Sequence, residues 1–471
     1  MSRNTLSVNG SSPTRRNSSR CPLPIYVKPS RHRDITQGSL GGHIWDLTWP
    51  TTISLALFML PGVYDAIWLG RLSRYAQAAA GLTMSVRFTM ISVLMALSLG
   101  SGAVVSRHIG AKDEDKANLA ALQAIILMTT ASGGLGLLGV IFARPLLTLA
   151  GADADTLPLA VRYARIIFAG LIAIEMVPSV GFMISAAGAP RAMLAMTLLS
   201  AGTQLVAEPL LVRWMGLEGA ALALVGSNGA GMLLGFGLLV AGQAPVRLDL
   251  RNLRLDFPMM GRILRIALPA VLQRGSPNLA MSLLTRLVAA YGAPTLAAWV
   301  IARRVLNFAL TPSMGLSRVV PALVGQNLGA AKPERAERSV ALISRLATLV
   351  GGCVLGLLAL FAPQVMTLFS QDTATVSIGA HAIRLLSIGN LGLAVNYVFD
   401  AAQGGAGDTV SPMVINLFSL WLVQIPLAYL LSRSVGLGAD GIWLALVLGW
   451  FAQVTLMWLR FRQGRWKLKR I

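Results

Sequence analysis

GQNLGAAKPERAE, residues 325–337, repeats SRHIGAKDEDKAN, residues 106–118, at a spacing of 219 residues, and that spacing decides how the chain is read. Pro50 in HIWDLTWPTTISL pairs with Pro269 in RILRIALPAVLQ at the same spacing, and so does Gly188 in SAAGAPRAM with Gly407 in GGAGDTVSPM. A looser match, GLEGAALAL (216–224) against GLGADGIWLAL (436–446), drifts by three residues, as one loop insertion produces. Matches in the same order imply one ancestral unit, duplicated.

The units are membrane units. The chain has 55% hydrophobic and 13% charged residues with 47 glycines, and a mean hydropathy of +0.66. That leaves too little polar surface to cover a soluble globule of 471 residues. A helix needs about 20 apolar residues to span the hydrocarbon. Twelve runs meet that need, near 44–68, 78–106, 117–143, 157–186, 190–213 and 217–241, then 260–290, 295–327, 335–361, 375–403, 409–433 and 440–461. The expected fold is all-α: twelve transmembrane helices in two parallel six-helix lobes, related by a pseudo-two-fold along the membrane normal.

The expected organisation is a disordered basic leader (1–42), a first lobe (43–242), a linker (243–258), a second lobe (259–462) and a basic tail (463–471). The leader is rich in Ser, Arg and Pro and poor in acids, a composition that buries no core. Lys and Arg collect in the leader, the tail and one set of loops (Lys112, Lys116, Arg191, Arg247, Lys332, Arg335), while the opposite loops carry fewer. By the positive-inside rule both termini are cytoplasmic, in the inner membrane. The formal charge of +21 then reflects topology and contact with anionic headgroups, not nucleic-acid binding. The expected partners are the bilayer and a small amphipathic substrate, with the chain acting as a monomer.

Enzymatic function is disfavoured. Cys21 and Cys353 are isolated from each other, and His32, His43, His108 and His381 form no ligand spacing, so no metal or cofactor is expected. No Walker motif is present, which excludes ATP as direct fuel.

Ionisable groups inside spans carry the mechanistic information, because each costs about 2.5–3.5 kcal/mol at mid-bilayer on the lenient insertion scale. Asp65 falls in the outer half of the first span and Glu208 late in the fifth, at similar depth, with Gln204 one turn before Glu208 on the same face. Shifting either acid by 219 residues lands on leucine, Leu284 and Leu427. Only one lobe has this chemistry. Two readings compete: a proton or cation site, or a surface pairing of Asp65 with Arg71 or Arg74 and a mere helix end at Glu208. Glu175 is a third candidate for coupling, or a structural partner of Arg87. Asn228, Gln273, Asn307 and Asp400 are candidates for the substrate cavity, and Pro50 and Pro61 for bending of the first span. Arg274, Arg286, Arg303, Arg304 and Arg318 put cations in the second lobe; Arg303 and Arg304, being adjacent, cannot face the same way. Trp45, Trp49, Trp68, Trp299, Trp421, Trp443 and Trp450 fit interfacial belts, and Phe58, Phe88 and Phe308 are candidates to line an apolar cavity.

DAIWLG (65–70), VGQNLGAAKPERA (324–336), GAGDT (405–409), IPLAY (425–429) and GLGADGIW (436–443) resemble the multidrug and toxic compound extrusion (MATE) family over about residues 43–467. The resemblance implies two six-helix lobes around a cavity and export of organic cations, driven by a proton or sodium gradient. It is strongest for the branch of the DNA-damage-inducible protein F. That branch has a first-span Asp, which fits Asp65, and a fifth-span Asn-x-x-x-Asp-Pro, which fits Gln204 and Glu208-Pro209 with Gln for Asn and Glu for Asp. The norfloxacin-extruding branch has a seventh-span Glu and a tenth-span Asp where this chain has Pro277 and Leu393, which favours the proton over sodium. A flippase for a lipid-linked precursor and sodium-coupled efflux remain the alternatives. An acidic central cavity favours cation export, and a basic one favours the flippase.

Overall fold

The computed structural model describes residues 35–248 and 254–469. No strand occurs among them. Nine helices of the described residues are long and apolar enough to cross a membrane: Leu40–Leu72, Arg74–Gly110, Glu114–Ile141, Pro190–Met215, Leu217–Val240, Pro333–Leu360, Thr373–Gly405, Val410–Ser434 and Gly438–Arg462. They are the first, second, third, fifth, sixth and ninth to twelfth spans. The fourth is the pair Leu157–Ala169 and Leu171–Ala186, bent by 49° at Gly170, where an added Cβ would overlap the Val225 side chain.

The seventh and eighth spans are less regular for identifiable reasons. Phe257–Ala289, the seventh, carries four arginines and two internal prolines. The eighth is divided into Ala293–Ala309, Thr311–Arg318 and Val320–Gly329. Pro312 and Pro321 open the last two pieces; having no N–H, each removes a hydrogen bond that would continue the preceding helix. Their counterparts in the second span are Val93 and Gly102, and that helix is unbroken. The fold is therefore the expected all-helical one, twelve spans in two lobes.

The two-fold is visible in single contacts. A methyl group on Gly110 would overlap the Gln326 carbonyl, and one on Gly329 would overlap the Arg107 carbonyl. Residues 107 and 326 are themselves 219 apart, so exchanging the lobes maps this contact onto itself. Lys112 and Ala331, another equivalent pair, both adopt positive φ, 59° and 55°. Small residues bring helices into contact in membranes, where apolar surface alone gives little drive to associate. Here they bring the second span against the end of the eighth.

The first and the last described residues lie at this same end of the bundle, the terminal face. The described residues of the expected leader pack against the start of the ninth span: Ile35 is buried, and Arg335 donates to the carbonyls of Gln37 (3.1 Å) and Gly38 (2.9 Å), with Lys332 donating to Thr36 (3.0 Å). Residues 1–34 of the expected leader, and 249–253 of the linker, lie outside the described residues. The tail is also packed. Trp466 is buried against Phe461, ring centroids 4.9 Å apart, and Lys469 pairs with Asp408 (3.5 Å) while its carbonyl accepts from Arg107 (2.9 Å).

Each lobe has its own apolar core. In the second, Trp299 and Trp443 stack face to face at 5.1 Å, and the Trp299 indole donates to Thr285 (3.3 Å). Both are buried, so these two tryptophans are core residues and not part of a belt. Their polar N–H and large area suit interior packing as well as an interface, and sequence position alone does not separate the two. Trp45, 69% exposed, does sit on the surface.

Candidate functional site

The first and fifth spans pack together, and the Tyr64 hydroxyl donates to the Leu205 carbonyl (3.2 Å) across that contact. This brings the Asp65 and Glu208 carboxyl groups beside each other. Glu208 is fully buried. Around the pair, the Gln204 amide donates to Glu208 at 3.0 Å, Ser227 of the sixth span reaches Gln204 at 3.5 Å, and the Tyr163 hydroxyl lies beside Asp65. One oxygen of each acid, Oδ1 of Asp65 and Oε1 of Glu208, is buried without a hydrogen-bond partner. Buried polar atoms are nearly always bonded, so two open acceptors side by side mark a place that can take up a proton or a cation.

Glu175 lies beside this group but is already engaged. Arg87 of the second span donates Nη2 at 2.8 Å and Nε at 3.2 Å to its Oε1, and both side chains are buried. The charge of Arg87 also reaches Asp65. The surface pairing weighed for Asp65 does not form: Arg71 lies over the Trp68 ring (5.4 Å) and Arg74 over Tyr75 (4.9 Å).

Between the lobes, in the half of the bundle away from the terminal face, is an open cleft of about 590 Å³. Its walls are Ser85, Phe88 and Thr89 of the second span, Asn278, Met281, Ser282 and Thr285 of the seventh, and Arg303 of the eighth. Ser85 and Phe88 flank Arg87 on one helix, so the second span faces the cleft on one side and the acid group on the other. Arg303 is the one charged residue of these walls. Arg304 points elsewhere and is exposed.

The four residues proposed from sequence for the cavity are not among these walls. Asn228 is buried, its amide turned back on the Leu224 carbonyl (2.8 Å), next to Ser227. Gln273 and Asp400 bond each other at 2.7 Å deeper in the second lobe, beside Arg274. Asn307 is exposed. Pro50 and Pro61 sit inside one continuous helix, with Ser54 donating to the Pro50 carbonyl (2.7 Å). Sequence reading missed Tyr163 and the cleft serines and threonines. A lone tyrosine or serine in an apolar run gives no signal until a neighbour is known.

Two pseudo-symmetric six-helix lobes around a cleft, with an ionisable group inside one of them, define a membrane transporter and not an enzyme. The chain belongs to the MATE family: that family's model, MatE, matches residues 50–210 and 269–430, two stretches whose starts are again 219 apart. The chain is similar to the probable multidrug resistance protein YoeA of Bacillus subtilis, 26% identical over 416 residues and covering 86% of this chain and 88% of the relative. An FAD transporter of Shewanella oneidensis is 27% identical over 420 residues, 86% and 91% of the two chains. A crystal structure described as MATE in the bent conformation has the same fold, with a TM-score of 0.86 at 24% identity over 92% of this chain and 97% of the other.

Proposed function

We propose that the protein is a secondary antiporter that exports amphipathic compounds by alternating access, driven by protons entering through Asp65 and Glu208. The carrying observation is the contact between half-buried Asp65 and fully buried Glu208. A hydrogen bond between two carboxyl groups needs one proton, and each acid keeps a second, open oxygen. Protonation and release at such a pair change the number of buried charges, which shifts the balance between two arrangements of the lobe.

The rest of the cycle follows from the two ends of the bundle. With the basic terminal face in the cytoplasm, the cleft opens outward and the Gly110–Gln326 and Gly329–Arg107 contacts close the inward path. Proton uptake at the pair relaxes the first span about Pro50 or Pro61, where a missing N–H makes bending cheap. A related structure in a bent conformation supports that device. Pairing of a first-span Asp with a fifth-span acid supports membership of the branch of the DNA-damage-inducible protein F. Pro277 and Leu393, in place of acids in the second lobe, support the proton over sodium.

The test is a reconstituted transport assay, with pH and sodium gradients imposed separately and ethidium and fluorescein followed as probes. Wild type should move a probe against the pH gradient, and Asp65→Asn should insert normally but lose gradient-driven movement and its pH dependence. Undiminished movement by Asp65→Asn, or movement driven by sodium alone, would remove the assigned role.

A further inference from the structure

The second lobe holds positive charge that the protein does not neutralise. Arg274, Arg303 and Arg318 lie in the seventh and eighth spans, and among the described residues none has a carboxylate within ion-pair distance. Arg303 faces the cleft, 5.7 Å over the Trp299 ring. Arg274 follows one turn below Asn278, a cleft residue, and its Nε is buried without a partner. Arg318 lies deeper, 5.8 Å over the ring of Phe182 from the first lobe, close enough to Arg274 for each to feel the other's charge. The one acid nearby is Asp400, which acts on Arg274 from a distance while accepting from Gln273 (2.7 Å). Three guanidinium groups thus lie in succession from the cleft wall at Arg303, through Arg274, to Arg318 where the lobes meet, with Asp400 the one carboxylate acting on them.

Unpaired guanidinium groups in a membrane interior are costly and, where kept, mark a substrate path. Arginine also matches carboxylate and phosphate oxygens in fork geometry. The ring of Phe88 in the cleft wall and that of Phe182 beside Arg318 offer flat apolar contact, and a volume of about 590 Å³ suits a small organic molecule. Resting on the reading of the cleft as the transport path, we infer that the transported molecule is an aromatic or amphipathic compound bearing a carboxylate or phosphate, which Arg303, Arg274 and Arg318 bind in succession. A simple organic cation would meet repulsion along the whole path. The anionic group belongs either to a soluble compound or to a lipid headgroup, and the chemistry of recognition is the same.

Binding to the detergent-solubilised full chain tests this independently of coupling. Fluorescein and rhodamine 6G share a xanthene ring system but differ in charge, and fluorescence anisotropy reads both. Wild type should bind fluorescein more tightly than rhodamine 6G. Arg274→Gln and Arg318→Gln should each weaken fluorescein by roughly tenfold to a hundredfold and leave rhodamine unchanged or tighter. Their melting temperatures should hold or rise, because an uncompensated charge has been removed; an arginine kept for structure would give a fall. Asp65→Asn should still bind fluorescein, which separates this inference from proton coupling. Displacement of fluorescein by phosphatidylglycerol but not phosphatidylcholine would assign the path to a headgroup, and no displacement to a soluble anion. Tighter binding of rhodamine, or fluorescein binding indifferent to both substitutions, would overturn the inference.

Discussion

The same helical plan, used twice, gives the first lobe acids inside its spans and the second leucines at the equivalent places. Leu284 and Leu427 stand where Asp65 and Glu208 stand in the other lobe; Leu284 is buried in the second lobe's apolar core around Trp299 and Trp443, and Leu427 packs against that core. The first lobe thus carries carboxyl groups inside its own wall, and the second places Arg303 in the cleft wall with Arg274 and Arg318 beyond it. Symmetry supplies two bodies that can rock against each other. On the proposed reading, asymmetry of a few side chains divides the labour, one lobe taking the proton and the other the substrate.

The comparison breaks most visibly if the acids are moved. With Asp65→Asn and Glu208→Gln, gradient-driven transport in proteoliposomes should fall to background. Adding Leu284→Asp and Leu427→Glu should not restore it, because Tyr163, Gln204 and Arg87 have no acid-supporting counterparts there. Restored transport would show that the lobes are interchangeable.

A smaller effect separates the structural ion pair from the coupling pair. Arg87→Met leaves Glu175 uncompensated and should cost about 3–5 kcal/mol, seen as a lower melting temperature in detergent. Arg87→Met with Glu175→Leu should recover most of that loss; a double variant as unstable as the single one would mean that the pair does more than neutralise itself.

In the other lobe, Leu284→Asp alone buries an unsupported acid and should destabilise by about 2.5–3.5 kcal/mol, whereas Asp65→Leu should leave stability unchanged or higher. Equal losses at the two equivalent positions would erase the proposed difference between the lobes.

The smallest expected effect concerns what the lobes share. Gly110→Val and Gly329→Val each force a side chain against a backbone carbonyl of the other lobe, costing about 1–3 kcal/mol in the arrangement closed at the terminal face. The two substitutions should shift thiol labelling of a cysteine placed at that face by the same amount, since the contact maps onto itself. Unequal shifts would show that the two-fold is only approximate where it matters most.

The sequence was informative wherever a feature repeats or is out of place. Duplication fixed the lobes, the two-fold and the helix count, and Gly110 and Gly329 marked the point where the lobes meet. Asp65 and Glu208 stood out because an acid in an apolar run is costly, and their depths agree because helical rise is regular. The reading was weakest in the second lobe. Among five arginines in apolar runs, the residue types alone could not say which face the cleft, and Asn228, Gln273, Asn307 and Asp400 looked like cavity residues merely because they were polar.

By itself, then, the order of residues determined a membrane-spanning, internally doubled helical protein with acids on one side of the duplication, because apolar length, repeat spacing and the cost of a charge in lipid are local properties. Only the tertiary structure decided that Asp65 touches Glu208 and Tyr163, that Glu175 is taken by Arg87, and that Arg303 faces the cleft while Arg304 does not. Those facts depend on how each helix is rotated against its neighbours, and packing across the whole bundle sets that rotation.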